Sequence, residues 1–298
     1  MLDPVALSAI ADLELVSRRV VDGTISGLHR SPFHGYSAEF SQYRHYRPGD
    51  DLKYVDWKLF ARTDRVYTKQ FRETTNLMCS IALDASASMD YAPVRRSLGE
   101  GGGGVTKFQY ARLLAASIAN LVSRQGDAVG LVAFADGLKS YLPSRGGQVH
   151  LRSLLLTLEK AQPSGTTGIA EALSRTLELL KRRGLLVLIS DLYDEAPGVE
   201  QALKRAAHTG HEVILFHVLT RDEVELPFRG DVEVVDAETG SAVLTDGSSY
   251  MEKMSEFLER WRSRSTAYGL DYVRVFTDTP LDAALRGYLR RRTLGVVA

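Results

Sequence analysis

The sequence predicts an α/β fold: a doubly wound, mostly parallel sheet, preceded by an N-terminal helix and a β-rich extension. Three observations carry this. Short, continuously apolar runs recur at 77–83, 127–135, 185–190, 212–219 and 271–276, and amphipathic segments of helical period separate them. Apolar runs without alternation belong to strands covered on both faces, the signature of a parallel sheet with helices above and below. Two of the runs end in an aspartate, Asp84 and Asp191. The carboxyl ends of strands are where an open α/β sheet binds its ligands.

The elements follow in order. Asp3 can cap a first helix, Pro4 takes its first position and Gly23 follows its last turn, with Ala6, Ile10, Leu13, Val16 and Val20 as one apolar stripe. Residues 26–72 are polar, aromatic and rich in turn formers, with bends expected at Pro32, Gly35 and Pro48-Gly49, and read as short strands and loops. Helices are expected at 107–124, 149–158, 166–182, 199–208, 250–268 and 281–292. Residues 232–235 and 242–244, joined through Glu238-Thr239-Gly240, read as an appended hairpin. The division expected is 1–75 for the helix and extension and 76–298 for the α/β domain, with the hairpin near 230–246.

The 298 residues suffice for one large domain or a medium one with an extension. Acidic and basic residues balance at 37 each, so bulk charge favours neither nucleic acid nor an anionic membrane as partner. The single cysteine, Cys79, excludes an intramolecular disulfide and reads as a small core hydrophobe. No apolar run reaches the ~18 residues of a spanning helix, and the start lacks a signal-peptide layout, so a cytoplasmic protein is expected. Arg290-Arg291-Arg292 reads as a solvated last helical turn. The glycine run ending at Gly104 is not a phosphate loop, because Val105 stands where a lysine must follow the last glycine. It reads as a flexible insertion near the rim of the site.

Residues 81–91 read I-A-L-D-A-S-A-S-M-D-Y, which places Asp84, Ser86 and Ser88 at alternate positions after a strand. Oxygen donors without histidine or cysteine suit a hard cation such as Mg²⁺ and suit zinc poorly. Two of these three donors are neutral, so a bound divalent cation would keep much of its charge. Turn formation by the same residues is the competing reading. Further donors tip the balance: Pro163-Ser164-Gly165-Thr166 is read as opening a helix, and the apolar run from Gly184 ends in Asp191.

Asp84, Ser86 and Ser88, then Thr166, then Asp191, resemble in type and order the metal-ion-dependent adhesion site of von Willebrand factor A-type domains. The resemblance implies Mg²⁺, with Mn²⁺ as the alternative. It also implies that the serines and threonine touch the ion, that the aspartates act partly through water, and that a partner's carboxylate completes the shell. Thr167 is a rival for Thr166, which is preferred because it directly follows Gly165. Residues 46–62, Y-R-P-G-D-D-L-K-Y-V-D-W-K-L-F-A-R, taken with these loops, resemble the von Willebrand A-like proteins of the "domain of unknown function 58" family. Residues 35–40, 236–240, Thr277-Asp278 and Tyr288-Leu289 look similar to that family as well.

From the residues alone, the 46–62 segment is a Pro-Gly turn in which Asp50 or Asp51 bonds to backbone. Trp57 is expected to anchor it on the domain, and Arg62 to pair with Asp56 or Asp50. Structural reinforcement and a partner-contact surface are both open readings of the segment. Its interspersed aspartates argue against nucleic acid.

Family members are commonly encoded beside MoxR-type AAA+ ATPases. The resemblance therefore implies a non-enzymatic, metal-dependent interaction module, an adaptor for such an ATPase or its client. The alternative is a Mg²⁺-dependent hydrolase, for example a phosphatase, with Asp84 as nucleophile or with Asp84 and Asp191 as a metal pair. Phosphatases of the haloacid dehalogenase type place a second aspartate where Ser86 stands, and no histidine adjoins a candidate nucleophile.

Overall fold

The computed structural model describes residues 3–8, 12–25, 37–48, 50–74, 77–93, 104–180, 183–194, 197–226 and 230–293. The chain opens with α1 (Pro4–Ser8) and α2 (Leu13–Ile25), where one helix was expected. Next, β1 (Ser37–His45) pairs antiparallel with β2 (Tyr67–Thr74), and α3 (Trp57–Thr63) lies between them. This helix was not expected in a stretch read as strands and loops. It forms because Asp56 caps it, accepting from Lys58 N and Leu59 N at 3.0 Å each.

Asp50 and Asp51 do bond back to backbone, on Arg47 N (2.9 Å) and Lys53 N (3.1 Å). Two expectations fail. Trp57 is 59% exposed and anchors nothing. Asp50 pairs with Arg44 (2.7 Å), and Asp56 with Lys69 (3.1 Å) and the Tyr43 hydroxyl (2.8 Å), rather than with Arg62. The helical turn that Asp56 caps carries Trp57 outward, while the neighbouring strands supply the cations. The expected bends at Pro32 and Gly35, and the glycine run through Gly103, lie outside the described residues.

The main domain then alternates strand and helix. Its strands and first helices are β3 (Met78–Asp84), α4 (Lys107–Arg124), β4 (Ala128–Phe134), β5 (Leu138–Arg145), α5 (Gln148–Lys160) and α6 (Ile169–Leu179). There follow β6 (Leu185–Ser190), α7 (Pro197–His208), β7 (Glu212–Leu219) and α8 (Arg221–Glu225). The hairpin β8 (Asp231–Val235) and β9 (Ala242–Asp246), α9 (Gly247–Ala267), β10 (Asp271–Phe276) and α10 (Leu281–Thr293) complete it.

Six strands form one sheet in the order β10-β7-β6-β3-β4-β5, parallel except for β5. The sequence reading had no β5. That strand is an antiparallel edge, half-exposed and carrying Pro143, so it lacks the apolar run that marks a central strand. One hydrophobic core joins the sheet to α2, α4, α5 and α10, and the other joins it to α6, α7 and α9. Cys79 is buried in the first, as expected of a core thiol. Among the described residues no helix is long and apolar enough to cross a membrane.

Helix α4 is buried on nearly every side, between the sheet and the N-terminal helix α2. Its start is fixed by a reciprocal cap in which Gln109 N donates to Thr106 Oγ1 (3.1 Å) and Thr106 N to Gln109 Oε1 (3.2 Å). This fixes where the first helical residue, Lys107, enters the interior. Leu114 on this helix is fully buried. Leu114→Ala is expected to cost about 2–5 kcal/mol in urea unfolding; an unchanged midpoint would show that the helix–sheet contact is loosely packed.

Candidate metal centre

Strands β3 and β6 are parallel neighbours, with Leu83 opposite Ile189, so Asp84 and Asp191 leave the sheet at the same edge. The chain passes from β3 to β4 on one side and later returns to β6 on the other, which makes this the point where the winding reverses. Both carboxylates are fully buried.

The first loop curls as expected. Asp84 Oδ1 accepts from Ser86 N (2.9 Å), and the Ser86 and Ser88 hydroxyls share a hydrogen bond at 3.0 Å. A short 3-10 turn, Ala87–Asp90, carries Ser88 inward. The other oxygen of Asp84 accepts from Ser190 Oγ (2.6 Å), which in turn accepts from Leu192 N (2.9 Å). Leu192 holds a left-handed backbone, φ 57°, immediately after Asp191. Such strain in a buried leucine persists only where the surroundings enforce it, and it tends to cluster at functional sites.

The second loop is tied to the first by two backbone bonds, Ser164 N to Ala85 O (2.8 Å) and Ala87 N to Gly165 O (2.9 Å). These bring the chain at Thr166 beside the serine turn, with Thr166 at the exposed rim. Helix α6 begins at Ile169, not at Thr166 as expected. Gly168 precedes the helix at a position that only glycine fits, since a Cβ would stand 2.7 Å from Ala135 O. Asp194 supplies the acceptor for Ile169 N at 3.1 Å. Thr167 is engaged elsewhere: its N–H donates to Glu238 at 2.9 Å and its hydroxyl to the same carboxylate.

Burial first, and then the charge of Asp191, push the Asp84 carboxyl up to about 7 against the bonds from Ser190 and Ser86. Two carboxylates in a dry crevice repel, and a cation between them would relieve that repulsion. The donors on hand are carboxylate and hydroxyl oxygens, a set that fits Mg²⁺ or Mn²⁺. Among the described residues no group of three or more His, Cys, Asp or Glu side chains could hold a metal. A centre at this edge would therefore draw on hydroxyls as well as on the two aspartates.

One cation is already built in. The fully buried Lys107 Nζ donates to Asp191 (2.7 Å) and to Glu223 (2.6 Å) and lies 4.7 Å from the centre of the Tyr193 ring. Burial alone would push this ammonium down, but the Asp191 and Glu223 charges prevail and hold it above its ordinary range. Tyr193 donates to the same Glu223 oxygen (3.1 Å) and stacks on Phe257. Glu223 is fixed in turn by Thr220, whose N–H (2.7 Å) and hydroxyl (2.9 Å) donate to its second oxygen. With one oxygen on Lys107 and the other on Tyr193 N (3.4 Å), Asp191 is already oriented at the site.

The profile of the family described as "Protein of unknown function DUF58" matches residues 42–260. This chain belongs to that family. An uncharacterized protein of Mycobacterium tuberculosis strain H37Rv is 31% identical over 242 residues, covering 80% of this chain and 73% of its own. An uncharacterized protein of Mycobacterium bovis aligns with the same identity and coverage. Among solved structures, BatB from Bacteroides thetaiotaomicron, described as a conserved hypothetical protein, has a TM-score of 0.47 at 19% identity, covering 74% of this chain and all of its own. The SpRpn10 VWA domain has a TM-score of 0.44 at 12% identity, covering 71% of this chain and 94% of its own. The sheet and its two-sided helical cover in this DUF58 chain are the doubly wound, mostly parallel α/β architecture expected from the sequence.

Sequence reasoning missed four residues of the DUF58 site: Lys107, Ser190, Glu223 and Glu238. Only Lys107 left a trace. A lysine in the first turn of a helix opposes the macrodipole, so it needs acidic partners from elsewhere. Removing it strands buried charge, and Lys107→Met is expected to cost about 3–5 kcal/mol in urea unfolding at neutral pH. Adding Glu223→Gln should recover part of the loss; no cost for the single variant would show that the ammonium is not buried in solution.

Asp84 also sets a pH dependence. Its folded value, about 7, lies above the ordinary 3.8. As pH rises from 4 to 7 the unfolded chain ionises first, so stability falls across that window in EDTA. Asp84→Asn should flatten the fall, and equal slopes in the two proteins would show Asp84 ionised throughout.

Proposed function

We propose that this DUF58 protein is a metal-ion-dependent protein-interaction module rather than an enzyme, working as an adaptor for a MoxR-type AAA+ ATPase or its client. One observation supports the metal part above the others. Asp84, Ser86, Ser88 and Asp191 meet at the point where the winding of the sheet reverses, with the loop of Thr166 bonded to the loop of Ser86. The ATPase part rests on what accompanies the family and on no contact within the fold.

In this reading Ser86, Ser88 and Thr166 would hold Mg²⁺ or Mn²⁺, with Asp84 and Asp191 balancing its charge. When bound, such an ion supplies an electrophilic position that accepts a carboxylate oxygen from a partner. The chain's own part is orientation. Ser190 and the Ser86 amide hold Asp84, Lys107 holds Asp191, and the two backbone bonds hold the loops together. Hydrolysis is the less favoured chemistry: both oxygens of Asp84 already accept hydrogen bonds, which blunts it as a nucleophile.

Calorimetric titration with Mg²⁺ and Mn²⁺ tests the site. Asp84→Ala is expected to abolish binding, Thr166→Ala to weaken it about tenfold, and Ser86→Ala with Ser88→Ala to abolish it, a tenfold change being about 1.4 kcal/mol. A complex with a MoxR-type ATPase should form in Mg²⁺ and dissociate in EDTA. Unchanged metal affinity in Asp84→Ala removes the site; a complex that survives EDTA and the serine variants moves the contact to the 46–62 segment.

A further inference from the structure

The hairpin of β8 and β9 is a separate two-stranded sheet that joins no strand of the main one. Its strands are solvated, with Val243 62% and Leu244 72% exposed. Its tip is stiff. Asp236 N donates to Ser241 O and Gly240 N to Asp236 O, both at 2.8 Å, while the Asp236 side chain accepts from Glu238 N (2.8 Å) and Thr239 Oγ1 (2.7 Å). This turn aims one acidic side chain at the second loop of the candidate metal centre. There both oxygens of Glu238 are taken, by the N–H of Thr167 at 2.9 Å and by its hydroxyl, and Glu238 is half-buried where its neighbours on the tip are exposed.

We propose that Glu238 is an internal carboxylate latch, held at the rim of the centre where an acidic partner residue docks, and that such a residue must displace it. The inference rests on the interaction-module reading and names how that site is regulated. A carboxylate accepting an N–H and an O–H from one residue is the same chemical group that the site asks of a partner, placed one residue from Thr166. The latch is also poised to open. A two-stranded hairpin is at best marginally stable alone, so its docking depends on few contacts. Gly247 N donating to Gly230 O (3.2 Å) closes the base of the hairpin, which leaves the tip as the moving end. Thr167, the rival of Thr166 in the sequence, is the catch.

Amide hydrogen exchange of the whole chain tests this, reading segments 163–168 and 231–246 in the wild type, Glu238→Ala and Glu238→Gln. The substitutions fall at a hairpin tip outside both cores, so the sheet should exchange as in the wild type. Glu238→Ala should speed exchange in both segments about tenfold, with Glu238→Gln, which keeps the shape and loses the charge, between the two. Capped glutamate (N-acetyl-glutamate amide), but not capped glutamine, should produce the same opening in the wild type with Mg²⁺ present. Equal exchange in wild type and Glu238→Ala overturns the latch. Opening by the Ala variant without opening by capped glutamate overturns the competition and leaves Glu238 a plain structural tie. If capped glutamate opens the hairpin equally well in EDTA, the latch stands and the metal reading falls.

Discussion

The fold is organised around a set of charges that cannot be solvated. Asp84 and Asp191 sit side by side in a dry crevice, and each is tolerable only because the chain surrounds it with donors. Lys107 is the most demanding of these, since an ammonium without carboxylates could not stay in the interior. Its position therefore constrains α4, whose first residue it is, and α8, which brings Glu223 to it. The cap at Thr106 fixes the start of α4, the second cap at Thr220 holds Glu223, and the left-handed Leu192 directly follows Asp191.

The sheet makes this arrangement affordable. Two hydrophobic cores clamp it from opposite faces, so the edge where β3 and β6 end is rigid while the loops beyond it differ in purpose. The serine turn packs inward and bonds to the second loop. That second loop stays at the rim, and Gly168, which passes close to Ala135, leads from it into α6. The hairpin reaches the same rim from outside, through Glu238.

The N-terminal segment shows a different economy. Its acidic residues cap and brace their own turns, with Asp50 on Arg44 and Asp56 on α3, Lys69 and Tyr43. Trp57 is left in solvent, edge-on to a half-buried Phe60 at 6.3 Å between ring centres. Local bonding accounts for the charges of this segment and leaves its aromatic face unaccounted for.

Much of this was legible in the sequence. Apolar runs without alternation fixed the central strands, because a strand buried on both faces has no other composition. The register of Asp84, Ser86 and Ser88 followed from alternation at a strand end, and the capping signal at Asp3 is local chemistry. What the sequence could not decide was contact between distant segments. Strand β5 escaped because an edge strand needs no apolar face, and α3 because its seven residues are set by one cap. The pairing of Lys107 with Asp191 and Glu223 spans 84 and 116 residues, and that of Thr167 with Glu238 spans 71. Even where a lysine in a first helical turn signals a need for acidic partners, the sequence does not say which residues so far along the chain supply them. Only the folded sheet, by bringing strand ends and hairpin to one edge, decides which charges meet.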